Sequence, residues 1–168
     1  MTIVVITTIF SAVVTKLQKE LKQTKPFASL EEEVILNLAR TAEHIGARMA
    51  EVLKQSDLTP TQYNALRILR GAGADGVTCG EISERMVTKD SDITRLLDRL
   101  ERHGLIERER PENNRRVVMA RITKDGLSLL AELDGPVQEN NRRLAGHLGQ
   151  QRLRTLKELL EALRSDEA

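Results

Sequence analysis

The chain has 168 residues, with 26 Lys/Arg against 25 Asp/Glu and a formal net charge of +1. That length suits one domain, or one domain with extensions, and can bury roughly 70% of the unfolded surface. With no Trp, one Tyr and two Phe, the core has to come from Leu, Ile, Val, Ala and Met, while 30% charged residues and helical periodicity favour a mainly helical protein. The near-zero charge gives no global support for nucleic-acid binding. The single Cys79 excludes an intrachain disulfide framework and fits a reducing cytoplasm.

The chain opens on an apolar run, MTIVVITTIFSAVV, and its first basic residue is Lys16. A signal peptide places positive charge before its apolar run, and a bilayer span needs about 20 apolar residues, so no membrane partner is expected. Ile6, Phe10, Val13, Leu17 and Leu21 fall at helical spacing. For residues 1–28 three readings stay open: an arm packed on a dimer, a tail without fixed structure, or a start codon placed too far upstream.

Ser29 followed by Glu31 and Glu32 is a helix start, a serine cap with acids where the helix dipole favours them. Leu30, Val34, Leu38, Ile45, Met49 and Val52 then form an apolar stripe to about Gln55. Thr59-Pro60-Thr61-Gln62 has the form of a capping box with proline at the first helical position. Its helix carries Tyr63, Leu66, Ile68 and Leu69 and ends in the loop Gly71 to Gly76. Val77-Thr78 is placed to add one short strand, and Cys79 to Met86 forms a helix with Ile82 and Met86 facing in. Cys79 is read either as a small structural residue or, at a helix start, as a thiol of lowered pKa that senses oxidants.

From Thr88 to Thr123 the period changes twice. Ile93, Leu96, Leu97 and Leu100 make one helical face, with Ser91, Arg95, Asp98 and Arg102 opposite and Gly104 as a left-handed stop. Ile106, Arg108 and Arg110 then alternate with Glu107 and Glu109, and Val118, Ala120 and Ile122 alternate with Val117, Met119 and Arg121. Between these strands lies the turn cluster Pro111 to Arg116, which ends in two arginines. A helix with a polar face beside a hairpin with a cationic tip suits the major groove of DNA and an adjacent minor groove. The charge balance here is not lopsided: residues 85–116 hold nine Lys/Arg and seven acids, so the reading rests on where the charges point. Thr123 caps the next helix, whose apolar face is Leu127, Leu130, Leu133, Val137, Leu144 and Leu148. Asp134-Gly135-Pro136 is expected to interrupt it and Gly149 to break it again, before a last helix bearing Leu153, Leu156, Leu159, Leu160 and Leu163.

Thr94 to Glu101, then Gly104-Leu105-Ile106-Glu107-Arg108, resembles the "TRLvdrLe..GLveR" core of the MarR (multiple antibiotic resistance regulator) family. Asn114-x-Arg116 before Thr123 and Gly126 is similar to that family's Asp-x-Arg wing tip and following "LT..G", with asparagine in place of the aspartate. Leu58-Thr59-x-x-Gln62-Tyr63-x-x-Leu66 resembles its "LT..Qf..L". The resemblance implies a mainly α fold with a small β-hairpin wing, a winged helix-turn-helix that dimerises through N- and C-terminal helices. It implies a DNA-binding lobe at 58–123, helical dimerisation regions at 29–57 and 124–168, and an N-terminal apolar extension at 1–28. The expected activity is sequence-specific binding of double-stranded DNA as a homodimeric repressor on a pseudo-palindromic operator, released by a small phenolic or anionic effector.

Arg95 is the expected base reader and Arg116 the minor-groove residue, with Arg115 beside it. Ser91, Asp92 and Thr94 are candidates for base or phosphate contacts, and Lys89 and Arg99 for phosphates. By resemblance the effector pocket lies near His44, Arg48 and Tyr63, although a solvated helix face also accounts for His44 and Arg48. His44, His103 and His147 show no metal-ligand spacing, and no cofactor is expected. With no Gly-rich phosphate loop and no nucleophile motif an enzyme is not expected. The alternative is a winged-helix protein-interaction module without DNA binding, favoured by the charge balance and Asn114.

Overall fold

The computed structural model describes residues 14–88, 92–110 and 118–165. The chain divides into two compact units, residues 1–44 and residues 45–168. The first carries α1 (Lys16–Leu21) and most of α2 (Leu30–Leu53), and the second begins within α2. Thr15 starts α1 with a full capping box closed by Gln18. The helix therefore begins at Lys16, and Ile6, Phe10 and Val13 lie outside the described residues. Ser29 Oγ accepts from the Glu32 amide at 3.2 Å, as the serine-cap reading expects. Leu30, Val34 and Ile35 nevertheless remain exposed along α2.

The second unit holds the end of α2, α3 (Pro60–Ala72), β1 (Val77–Thr78), α4 (Cys79–Arg85), α5 (Ile93–Arg102), β2 (Ile106–Glu109), β3 (Met119–Ile122), α6 (Lys124–Ala145) and α7 (Gly149–Arg164). Its strands form one antiparallel sheet in the order β1-β3-β2. Val77-Thr78 thus joins the hairpin as expected, on β3. The Thr59–Gln62 capping box is complete, with proline at the first turn. A second box, Thr78 with Glu81, starts α4.

One core spans this unit. Leu53, Leu66 and Leu69 meet Ile82, Leu97, Leu100, Ile106, Ala120 and Leu130 there, all essentially buried. Burying a leucine or isoleucine side chain fully is worth about 1.5–3 kcal/mol, so the leucine face of α5 commits that helix to one orientation. At its end Gly104 adopts φ +70°, Leu105 N–H donates to Leu100 O at 3.0 Å and Gly104 N–H to Glu101 O at 2.9 Å. This Schellman arrangement satisfies carbonyls that the helix leaves open and turns the chain into β2.

The start of α6 is fastened to that same turn. Thr123 Oγ1 accepts from the Gly126 amide at 3.1 Å and donates to Gly104 O at 2.7 Å, while Thr123 N–H donates to Leu105 O at 3.0 Å. A Cβ on Gly126 would collide with Leu105 O and Ile122 Cγ1. Farther along, Arg70 holds Asp134 through both guanidinium nitrogens at 2.9–3.1 Å, tying α3 to α6.

Two expectations need correction. Asp134-Gly135-Pro136 does not interrupt the helix: α6 runs unbroken from Lys124 to Ala145 with Pro136 inside it. Leu133 and Val137 flank the proline and are both buried in the core, and that burial offsets the hydrogen bond the proline removes. Leu127, assigned to the apolar face, is 42% exposed. The break at Gly149 is present: a short 3-10 turn covers Gly146–Leu148, and Gly149 takes φ +72°.

Gly126→Ala is expected to destabilise the protein by about 1–3 kcal/mol, the range for overpacking a close contact. Chemical denaturation would measure it, and an unchanged midpoint would show that α6 does not need this approach.

Candidate nucleic-acid interface

The α5 helix is capped by Asp92, whose Oδ1 accepts from the Arg95 amide at 3.0 Å. Leu96, Leu97 and Leu100 are buried, so the helical period turns Thr94, Arg95 and Arg99 outward. The Arg95 side chain is 82% exposed, and its Nε lies 3.0 Å from Asp92 Oδ2. Asp92, Arg95 and Arg99 line a shallow groove with Thr59, Thr61 and Gln62 from the first turn of α3. The structure therefore brings together Asp92, Thr94, Arg95 and Arg99 on one helix. Lys89, Ser91, Arg115 and Arg116 lie outside the described residues, as does Asn114.

Behind α5, α4 supplies the supporting turn. Met86 ends α4 in extended backbone and is buried, and Val87 N–H donates to Asn64 Oδ1 at 2.8 Å. That bond anchors the approach to α5 on α3.

Of the candidate effector residues, His44 lies in the first unit, and Arg48 and Tyr63 lie in the second. Tyr63 lines a groove of about 230 Å³ with Met49, Pro60, Thr61, Asn64, Arg67, Val87 and Thr88. Arg67 sits over the Tyr63 ring, 5.9 Å from its centroid. Arg48 is exposed on α2 and is not among that groove's lining residues. His44 belongs to the first unit, where it lines a polar cleft with Lys16, Glu20 and Arg40. Arg67, which sequence reasoning passed over, is the cation that accompanies Tyr63. It lies four residues on, one helical turn away.

Cys79 is half-buried at the start of α4. Burial pushes its thiol up from the ordinary value, and the nearby Arg108 only partly offsets this. Low-pKa thiols are the reactive ones, so the reading as a small structural residue stands. The thiol also points at Val118 O, 3.9 Å away. Among the described residues no group of His, Cys, Asp or Glu is placed to hold a metal ion, and no helix is long and apolar enough to cross a membrane.

In the sequence Arg108 is one of nine Lys/Arg set against seven acids in residues 85–116. The structure gives it a different role. Its side chain is only 20% exposed and reaches back from β2 to Asp98 and Glu101 of α5. The hydrogen bonds from Arg108 hold the Glu101 carboxyl below its ordinary value. The stability this adds is present above the ordinary carboxylate pKa and is lost as pH falls through the depressed value. The alternation with Ile106 was the available signal, since residues two apart share a strand face.

Replacing Asp92 separates its two roles. Asp92→Ala should lower stability by about 1 kcal/mol through loss of the cap. Asp92→Asn keeps the cap and releases Arg95, so denaturation should show little change while affinity for duplex DNA rises. A fall in affinity for Asp92→Asn would mean that the carboxylate holds Arg95 in its binding pose.

Comparison with known proteins places these elements. The MarR family model matches residues 58–118, from just before α3 to just before β3. A MarR transcription factor from Planctomyces limnophilus has a similar structure, at 40% identity and TM-score 0.64, over 82% of this chain and 99% of that one. The multiple antibiotic resistance protein MarR of Salmonella typhimurium is 31% identical over 66% of this chain and 76% of its own length. A mutant MarR from E. coli, solved in complex with operator DNA, matches at 25% identity and TM-score 0.72, over 82% of this chain and all of that one (100%). Sequence motifs, hairpin topology and fold agree, and the chain belongs to the MarR family of transcription regulators.

Proposed function

We propose that this chain is a sequence-specific, double-stranded DNA-binding transcriptional repressor that works in the cytoplasm as a homodimer on a pseudo-palindromic operator. The observation that carries the reading is the outward face of α5, with Thr94, Arg95 and Arg99 exposed beside the hairpin, on a scaffold similar to one solved with operator DNA. In this reading Arg95 meets base edges in the major groove and Arg99 a phosphate. Arg115 and Arg116 extend the contact from the hairpin tip, with Lys89 and Ser91 ahead of the helix.

Residues 58–123 form the DNA-binding lobe of the proposal, and 29–57 with 124–168 the dimerisation helices. Exposed apolar side chains support that division. Leu30 is 72% exposed on α2, and Leu156, Leu159 and Leu163 are 41%, 63% and 53% exposed on α7. A second copy covering them would remove a large apolar surface from water. Two recognition helices related by a dimer axis demand half-sites about one helical turn apart.

The groove around Tyr63 suits an effector. An aromatic anion would lie in the mostly apolar groove beside Tyr63 and pair with Arg67. The groove includes Val87 and Thr88, which follow α4, so occupancy bears on the chain as it leaves α4. Its effect on DNA is limited to its preference between the two conformations of the dimer.

Arg95→Ala should cost about 1–3 kcal/mol and relax specificity at one operator position. Binding assays with specific and random duplexes would measure this, and equal losses on both would refute base reading. For the groove, Arg67→Ala should weaken binding of a salicylate-like probe in calorimetry. An unchanged affinity would move the effector site elsewhere.

A further inference from the structure

In the sheet order β1-β3-β2, β2 is an edge strand. An edge strand presents backbone groups on its outer side that need covering. At Arg108 the amide donates to Glu101 Oε1 at 3.0 Å. The side chain of the same residue gives Nε and Nη2 to Glu101 Oε2 at 3.0 and 2.6 Å, and Nη2 to Asp98 Oδ1 at 2.6 Å. Asp98 and Glu101 are three residues apart, neighbours on the surface of α5. One strand residue thus grips the recognition helix at two points, and it also has its own edge amide covered by one of the two acids. A single anchor would leave α5 free to roll about its axis. Two anchors one turn apart fix both the roll and the position along the axis.

We infer that Arg108 is a positioning residue that sets the roll of α5 against the β2–β3 hairpin, so that helix and hairpin address one DNA duplex in a single register. This rests on the DNA-binding reading above. Arg108 is not itself a phosphate contact. Its Nε and Nη2 donate to protein carboxylates, and its side chain is less exposed than those of Asp98 and Glu101. The chemistry calls for arginine. A planar guanidinium reaches two carboxylates at once, whereas a lysine ammonium is a point charge on a flexible stem. Without the guanidinium, Asp98 and Glu101 are like charges one turn apart on α5 with no cation between them, and nothing then ties that face of the helix to β2.

The test uses the full chain, a duplex enriched by the wild-type protein from a random pool, and a scrambled duplex of the same length, each titrated with salt. Arg108→Gln should weaken the enriched duplex about tenfold, the scale of a lost hydrogen bond to a charged group. It should leave the scrambled duplex and the salt slope unchanged, and Arg108→Lys should recover only part of the loss. In the free protein, hydrogen exchange at residues 106–109 should quicken in Arg108→Gln while amides of α3 stay protected. A salt slope smaller by about one charge would make Arg108 a phosphate contact and overturn the inference. Equal weakening on both duplexes would overturn it in favour of a general stability role. If the wild-type protein enriches no sequence, the DNA-binding reading itself fails and specificity falls with it. The exchange measurement still decides the grip, because unchanged protection at 106–109 shows that Arg108 does not hold the helix.

Discussion

Burial of Leu96, Leu97 and Leu100 is the constraint on which the rest of the structure depends. These three side chains enter the core between α3, α4 and the sheet, and the helical period then leaves one choice for the opposite face. Thr94, Arg95 and Arg99 face solvent because the leucines cannot. The exposed arginines are therefore held at no cost of their own beyond the ordering of their side chains. The outward face of this helix is a by-product of core packing, which makes its geometry robust and its surface chemistry free to vary.

A helix positioned by apolar packing still has freedom to roll and slide, and polar contacts remove it. Asp92 caps one end, the Schellman turn at Gly104 closes the other, and Arg108 grips the middle through Asp98 and Glu101. The same turn is clamped from outside by Thr123 and by the close approach of Gly126. That accounts for the Thr-x-x-Gly pattern after the hairpin: threonine for its hydroxyl, which both donates and accepts, and glycine for the missing Cβ. A second clamp, Arg121 with Glu109 across the hairpin and with Ala74 O in the preceding loop, fastens β3 to its surroundings.

These contacts also explain a charge balance that looked unfavourable for DNA. Several acids in residues 85–116 are paired with arginines at the surface. Asp98 and Glu101 meet Arg108, Glu109 meets Arg121 and Asp92 meets Arg95. Their charges are met locally, so they oppose an approaching phosphate less than a count of charges implies. Net charge is a property of the composition, while the field a duplex meets depends on which cations are left outward.

Much of this was legible in the sequence, for a physical reason. Caps, glycine stops and apolar periodicity act through neighbours within a few residues, so Thr59, Gly104, Thr123 and the leucine face of α5 declare themselves in the chain order. Family resemblance then joined those local signals into one fold. Other features follow from residues far apart in the chain. Pro136 is tolerated inside α6 because Leu133 and Val137 are already buried, an energy that no local rule counts. Burial raises the pKa of the Cys79 thiol, although its place at a helix start pointed the other way. Arg67 accompanies Tyr63, whereas Arg48 is directed to solvent, because α2 and α3 present different faces once the core closes. Arg108 is the clearest case. Composition made it one cation among nine, and only the fold, by laying an edge strand against α5, made it the partner of two acids.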